Sequence, residues 1–157
     1  MMNRVENERG FSLVELLIVI GITAILGTIV LPNFLGARNK YVIDGDTEKM
    51  IAHIRDGIDR ARAQKDGVSW GFGINNGDQD WYELLQGGVG GTSVDRVYLS
   101  PVVSFTTNST STTFNGGPNI NVLNSDFTIG LSASDGGFTD TIVIDTLGRI
   151  SRTSSYE

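Results

Sequence analysis

The chain has 157 residues, a formal net charge of −6, a single histidine and no cysteine. Structural disulfides, thiol catalysis and cysteine-based zinc sites are therefore excluded, and His53 alone leaves little room for a histidine-dependent catalytic triad. The acidic balance does not favour nonspecific attraction to nucleic acid or anionic membrane, and the length suffices for one domain with its own hydrophobic core.

A polar leader, residues 1–10, contains Arg4 and Arg9 and ends at Gly10. An almost unbroken apolar run follows from Phe11 to Leu31, with one carboxylate, Glu15, near its start. At ~1.5 Å per residue this run makes a helix of about 30 Å, long enough to span the hydrocarbon core of a bilayer. An acid inside such a segment costs roughly 2.5–3.5 kcal/mol on insertion scales and marks a functional position. A secretory signal peptide would have a shorter apolar stretch and a small-residue cleavage site after it, and none follows Leu31. A plain membrane anchor explains the length and leaves Glu15 and Gly10-Phe11 without a role.

Pro32 lacks an N–H and clashes with the preceding turn, so it is expected to kink or loosen the helix there, with Gly21, Gly27 and Gly36 as weaker points. Beyond Asn33 the pattern becomes amphipathic. Ile43, Met50, Ile54, Ile58 and Ala61 recur at helical spacing and mark a buried face, while Asp46, Lys49, Asp56, Asp59, Arg60 and Arg62 mark the solvated one. Asp66-Gly67 is expected to end the helix, with Gly67 as a left-handed cap.

From Val68 the period changes. Val68 to Ile74 and Trp81 to Leu85 read as two strands of a hairpin, joined by the turn cluster Asn75 to Asp80. Gly87 to Thr92 is a glycine-rich loop. Val94 to Phe105 reads as a further strand, broken or edged by Pro101. Thr106 to Asn119, rich in Thr, Ser, Asn and Gly, reads as an exposed loop. Phe127 to Leu131 and Thr141 to Ile144 are strands joined through Asp135-Gly136-Gly137, and Leu147-Gly148 turns the chain into a short strand at Arg149-Ile150. A long helix followed by antiparallel strands is an α+β architecture, the helix packing on an antiparallel sheet.

Asn76, Asp78 and Asp80 alternate oxygen donors as a calcium loop does, but Trp81 and Gly87 stand where its glycine and bidentate glutamate belong, so a polar turn is the better reading. Asp135 and Asp140 are read as turn residues for the same reason. Asn108-Ser109-Thr110 fits a glycosylation sequon, a match that arises easily in such a segment. No metal site, nucleophile–base pair or phosphate loop stands out, and no enzymatic activity or cofactor is expected.

The segment Gly10-Phe11-Ser12-Leu13-Val14-Glu15, with its apolar run and Pro32 in register, resembles the class III signal of type IV pilins and type II secretion pseudopilins. The resemblance covers about the first quarter of the chain. It implies cleavage between Gly10 and Phe11 by a prepilin peptidase, N-methylation of Phe11, and an assembly role for Glu15. It implies a cleaved leader (1–10), a transmembrane and assembly half of the helix (11–31) and a pilin-like globular domain (32–157). The implied location is the bacterial inner membrane, single-pass, with the C-terminal domain outside the cytoplasm. The implied partners are other pilin or pseudopilin subunits and an inner-membrane assembly platform. Details of the globular part, such as the helix end Ala61 to Gly67 leading into a Trp-containing hairpin, resemble the minor pseudopilin H and FimT-type minor pilins more than the major pseudopilin. Two roles stay open: a structural subunit, expected to be a minor one, and a tip module binding DNA or a secreted substrate. Arg149 and Arg152 are the candidate DNA contacts, by likeness to DNA-uptake minor pilins that use C-terminal arginines. The calcium site of major pseudopilins does not carry over.

Overall fold

The computed structural model describes residues 11–117 and 121–156, without the side chains of residues 29–33 and 35. The expected leader, Gly10 included, lies outside the described residues. The first element is a 50-residue helix, α1 (Leu13–Arg62). The chain divides into two compact units at Leu35 and Gly36.

In the first unit α1 is apolar all round. Phe11 is 82 % exposed, and Leu13, Leu17, Ile20 and Ile25 are exposed as well. The hydroxyls of Thr23 and Thr28 donate to the carbonyls of Val19, Ile20 and Ile25 within the same helix. Back-bonding of this kind satisfies a hydroxyl where water is absent. Among the described residues no helix is long and apolar enough to cross a membrane. The side chains at 29–31, which complete the run to Leu31, are not among those described.

In the second unit the face marked by Ile43, Met50, Ile54, Ile58 and Ala61 is buried, as its spacing requires, and Ile51 joins it. Asp46, expected on the solvated face, is buried: its Oδ2 accepts the backbone N–H of Ser100 at 2.8 Å. The side chain caps a chain turn that the helix periodicity alone could not foresee. The helix also ends earlier than Asp66. Gln64 enters the left-handed region (φ 47) and stops the ladder after Arg62. Gly67 (φ 65) is left-handed as expected, but it closes a separate 3-10 turn, Lys65–Gly67.

Among the described residues eight strands follow, all paired antiparallel, in two sheets. The first sheet has the order β3 (Thr92–Tyr98), β2 (Trp81–Gln86), β1 (Trp70–Asn75), β5 (Thr110–Phe114). The second has the order β4 (Val103–Phe105), β6 (Phe127–Ala133), β7 (Phe138–Ile144), β8 (Ile150–Tyr156). The β1–β2 hairpin matches its sequence pattern, except that Val68 and Ser69 stay outside it.

Three expectations are corrected. The stretch Val94 to Phe105 is two strands in different sheets. Pro101 occupies the second position of a turn closed by the Val103 N–H on the Ser100 carbonyl at 2.9 Å, where its fixed φ fits and its missing donor costs nothing. The segment Thr106 to Asn119 is not simply a loop. It contains β5, paired with β1 from Thr110 to Phe114, and Phe114 is fully buried. Threonines suit a pleated edge, but one aromatic in a hydroxyl-rich stretch gives almost no hydrophobic signal. The closing strand is β8, seven residues long rather than a short Arg149-Ile150 pair.

The two sheets are tied across the β1–β2 turn. Asn76 donates to the carbonyls of Phe105 and Thr107 at 2.9 and 3.1 Å, and Asp80 accepts the N–H groups of Gly77 and Phe105 at 3.0 and 2.6 Å. These residues work as the polar turn that the missing calcium ligands implied. Within this unit α1 lies against the first sheet at Gly57, where an added Cβ would fall 2.8 Å from Leu84 and Phe114.

Candidate functional site

Two groups of sequence candidates lie far apart along the chain. At the N-terminal end, Ser12 accepts the first intrahelical bond of α1, from the N–H of Leu16 at 3.1 Å. Glu15 therefore sits in the first turn, where unpaired N–H groups give the helix end a partial positive charge that favours a carboxylate. Glu15 is exposed, and among the described residues it makes no hydrogen bond or ion pair. Its neighbours Leu13, Val14, Leu16 and Leu17 are exposed apolar side chains. Gly10 lies outside the described residues. Pro32 falls inside α1, with its side chain undescribed.

At the other end, Arg152 on β8 faces inward. Its Nη2 bonds Asp140 Oδ2 at 2.6 Å and also Asp44, and its Nη1 meets Glu48 at 3.2 Å. Asp140, 2 % exposed, also accepts the hydroxyls of Thr47 and Ser154. Burial opposes the charge on Arg152, but the hydrogen bonds and charges of Asp140 and Asp44 outweigh it and raise its pKa above the ordinary value. Arg149 pairs with Asp145 at 2.6 Å and stays largely exposed. The backbone N–H of Arg149 first, then its side chain, hold the Asp145 carboxyl below the usual range against the opposing effect of burial. Both arginines offered as DNA contacts are thus engaged by carboxylates of their own chain. The structure does not join them into one basic patch.

Asp140 is a strand residue, not the turn residue expected, and Thr47 was not singled out. The missed signal is the alternation Asp140, Ile142, Ile144, which puts the acid on the inward face of β7. Thr47 lies on the same helix stripe as Ile43, Met50 and Ile54. Asp135 is a turn residue, its carboxyl held below the usual range first by Asn39, then by the N–H of Gly137. Asn108 is exposed in the β4–β5 connection. His53 links α1 to β3, with Nε2 2.9 Å from Asp95 and its ring edge-on to Tyr82. Among the described residues no group of histidines and carboxylates could hold a metal ion.

Residues 6–31 match the family model described as the prokaryotic N-terminal methylation motif. The chain is also similar to the type IV wide pilus major component PilA4 of Thermus thermophilus, 56 % identical over 34 residues. That similarity covers 22 % of this chain and 26 % of PilA4, so the chain spans about a quarter of the relative it matches. No solved structure matches significantly. Both similarities are thus short, and the family match falls on the segment that carries Gly10, Phe11 and Glu15. Over that N-terminal segment the chain is similar to the type IV pilin and pseudopilin family.

Proposed function

We propose that the chain is a structural subunit of a type IV pilus or a type II secretion pseudopilus, a minor one, assembled through α1. The observation that carries this reading is the match of residues 6–31 to the methylation motif, which spans Gly10, Phe11 and Glu15. A prepilin peptidase cuts between Gly10 and Phe11 and methylates the new amine. Until assembly, residues 11–31 hold the protein in the inner membrane with the β-domain outside the cytoplasm. Pro32 removes one bond of the helix ladder and loosens it. An inner-membrane platform then moves the subunit into the filament.

The mechanism follows from charge in a low dielectric. The amine of Phe11 and the carboxylate of Glu15 are each costly alone among apolar helices and far less so together. In a staggered bundle, Glu15 of an entering subunit reaches the Phe11 amine of the subunit already in place. The pair sets axial register, as a buried polar residue does in a coiled coil. Glu15→Ala is expected to insert and to be processed normally, because the cleavage junction is intact. It should incorporate into filaments more than a hundredfold less well, since breaking a buried pair costs about 3–5 kcal/mol. Glu15→Gln separates charge from hydrogen bonding. Co-purification with sheared filaments, alongside a membrane-fraction control, reads the result. Assembly of processed Glu15→Ala at the wild-type level would refute the register pair. A tip module is the second reading, and filament abundance separates the two: a tip protein is scarce in sheared filaments.

A further inference from the structure

We propose that a trough on the outer face of the first sheet binds a neutral saccharide. Trp70, Phe72 and Ile74 of β1 point into the core, so Gly71 and Gly73 stand on the opposite, outer face. At Gly73 the missing side chain leaves a channel walled by Trp81 and Glu83 of β2 on one side and Ser111 of β5 on the other. The channel has a volume of about 340 Å³, is open to solvent, and is lined by Gly90 and Gly91 as well.

The two glycines have different reasons to be there. A Cβ on Gly71 would lie 2.5 Å from the Thr112 carbonyl oxygen and 3.2 Å from Gly88, so the fold requires glycine. A Cβ on Gly73 would meet only Ser111, Leu85 and Glu83 at 3.5 to 3.8 Å, ordinary contact distances, and its φ is not left-handed. Neither sterics nor backbone conformation demands glycine at 73. Glycine in a strand interior weakens the strand and often marks a place where a ligand comes close.

The walls define what would fit. Glu83 spends one oxygen, Oε2, on the Arg96 guanidinium at 2.9 and 3.2 Å, and Oε1 has no partner among the described residues. Its side chain is only 12 % exposed. Ser111 Oγ and the Trp81 indole N–H are likewise without partners among the described residues. Arg96 stacks over the Trp81 ring at 3.9 Å and fixes it from the β3 side. Among the described residues Glu83 is the only ionisable side chain lining the trough, and its pairing with Arg96 leaves the site without net charge. The site thus offers an aromatic surface, one carboxylate acceptor, a hydroxyl and an indole donor around an uncharged floor. A pyranose matches that set. Its C–H face packs on the indole, one hydroxyl donates to Glu83 in a charge-assisted bond, and others meet Ser111 and the indole N–H.

The test uses the full chain in a detergent without a sugar headgroup, titrated with maltose, cellobiose, lactose and N,N′-diacetylchitobiose. Saturation-transfer NMR and tryptophan fluorescence report binding. At least one disaccharide is expected to bind saturably, and Gly73→Val and Trp81→Ala should each weaken it at least tenfold. Gly73→Ala should leave the Tm unchanged or raise it while weakening binding. The proposal is overturned if none of the four sugars binds saturably, or if binding survives in Gly73→Val and Trp81→Ala. It is also overturned if Gly73→Ala lowers the Tm, which would show that the fold needs this glycine, or if tri-alanine binds in place of the sugars. None of these results bears on filament assembly, which depends on the N-terminal segment.

Discussion

Arg152 and Asp140 lie on neighbouring strands, two register positions apart, and their side chains meet at 2.6 Å on the face turned toward α1. Through Asp44 and Glu48 the same guanidinium ties the last strand to the helix. In a chain without cysteine, this contact fastens β8 where a disulfide could not. Arg152→Ala leaves the buried Asp140 carboxylate without its cation and should cost about 3 kcal/mol. Arg152→Lys should recover only part of that, because an ammonium cannot present a planar fork to several carboxylates. Arg149→Ala, at a largely exposed pair, should cost less than ~1 kcal/mol. Urea denaturation midpoints of the three variants check this ordering.

Tyr82 is 1 % exposed, and its hydroxyl has no hydrogen-bond partner among the described residues. Burial first, then the charges of Asp46 and Asp95, push its pKa up to about 12. The folded value lies above the unfolded one, so the stability it contributes is complete below the unfolded pKa and is lost as pH rises toward the folded one. That loss is on the order of 2–3 kcal/mol between about pH 10 and 12. Tyr82→Phe should stabilise the protein by about 1 kcal/mol at pH 7, by removing an unpaired buried hydroxyl, and should abolish this alkaline loss. Thermal melts of both proteins from neutral to alkaline pH measure the difference.

Gly57 and Gly45 make a matched pair on α1. A Cβ at Gly57 would sit 2.8 Å from Leu84 and Phe114, whereas one at Gly45 meets nothing within 4 Å. Gly57→Ala should therefore destabilise by about 1–3 kcal/mol through overpacking, despite its better helix propensity. Gly45→Ala should stabilise by up to about 1 kcal/mol. Denaturation midpoints of the two variants should move in opposite directions.

The helix and the first hairpin could be read from periodicity because their apolar residues repeat at the spacing of the element. The strand β5 could not, since Thr110 to Thr113 carry no apolar pattern and only the pairing with β1 shows their place. The division of residues 94–105 between two sheets depends on contacts across the fold, namely Asp80 on the Phe105 N–H and Asn76 on the carbonyls beyond it. Asp46 and Asp140 were misjudged because a carboxylate reads as exposed until its partners are known, and these come from distant segments. Glu15 stands out in the sequence for the opposite reason. Its oddity is local, a single acid in an apolar run.

N-terminal mass spectrometry of the protein recovered from membranes of cells with an active prepilin peptidase tests the central claim most directly. A mature chain is expected to begin at Phe11, carry one N-methyl group and lack residues 1–10. Recovery of chains that begin at Met1 or Met2 under those conditions would contradict the account.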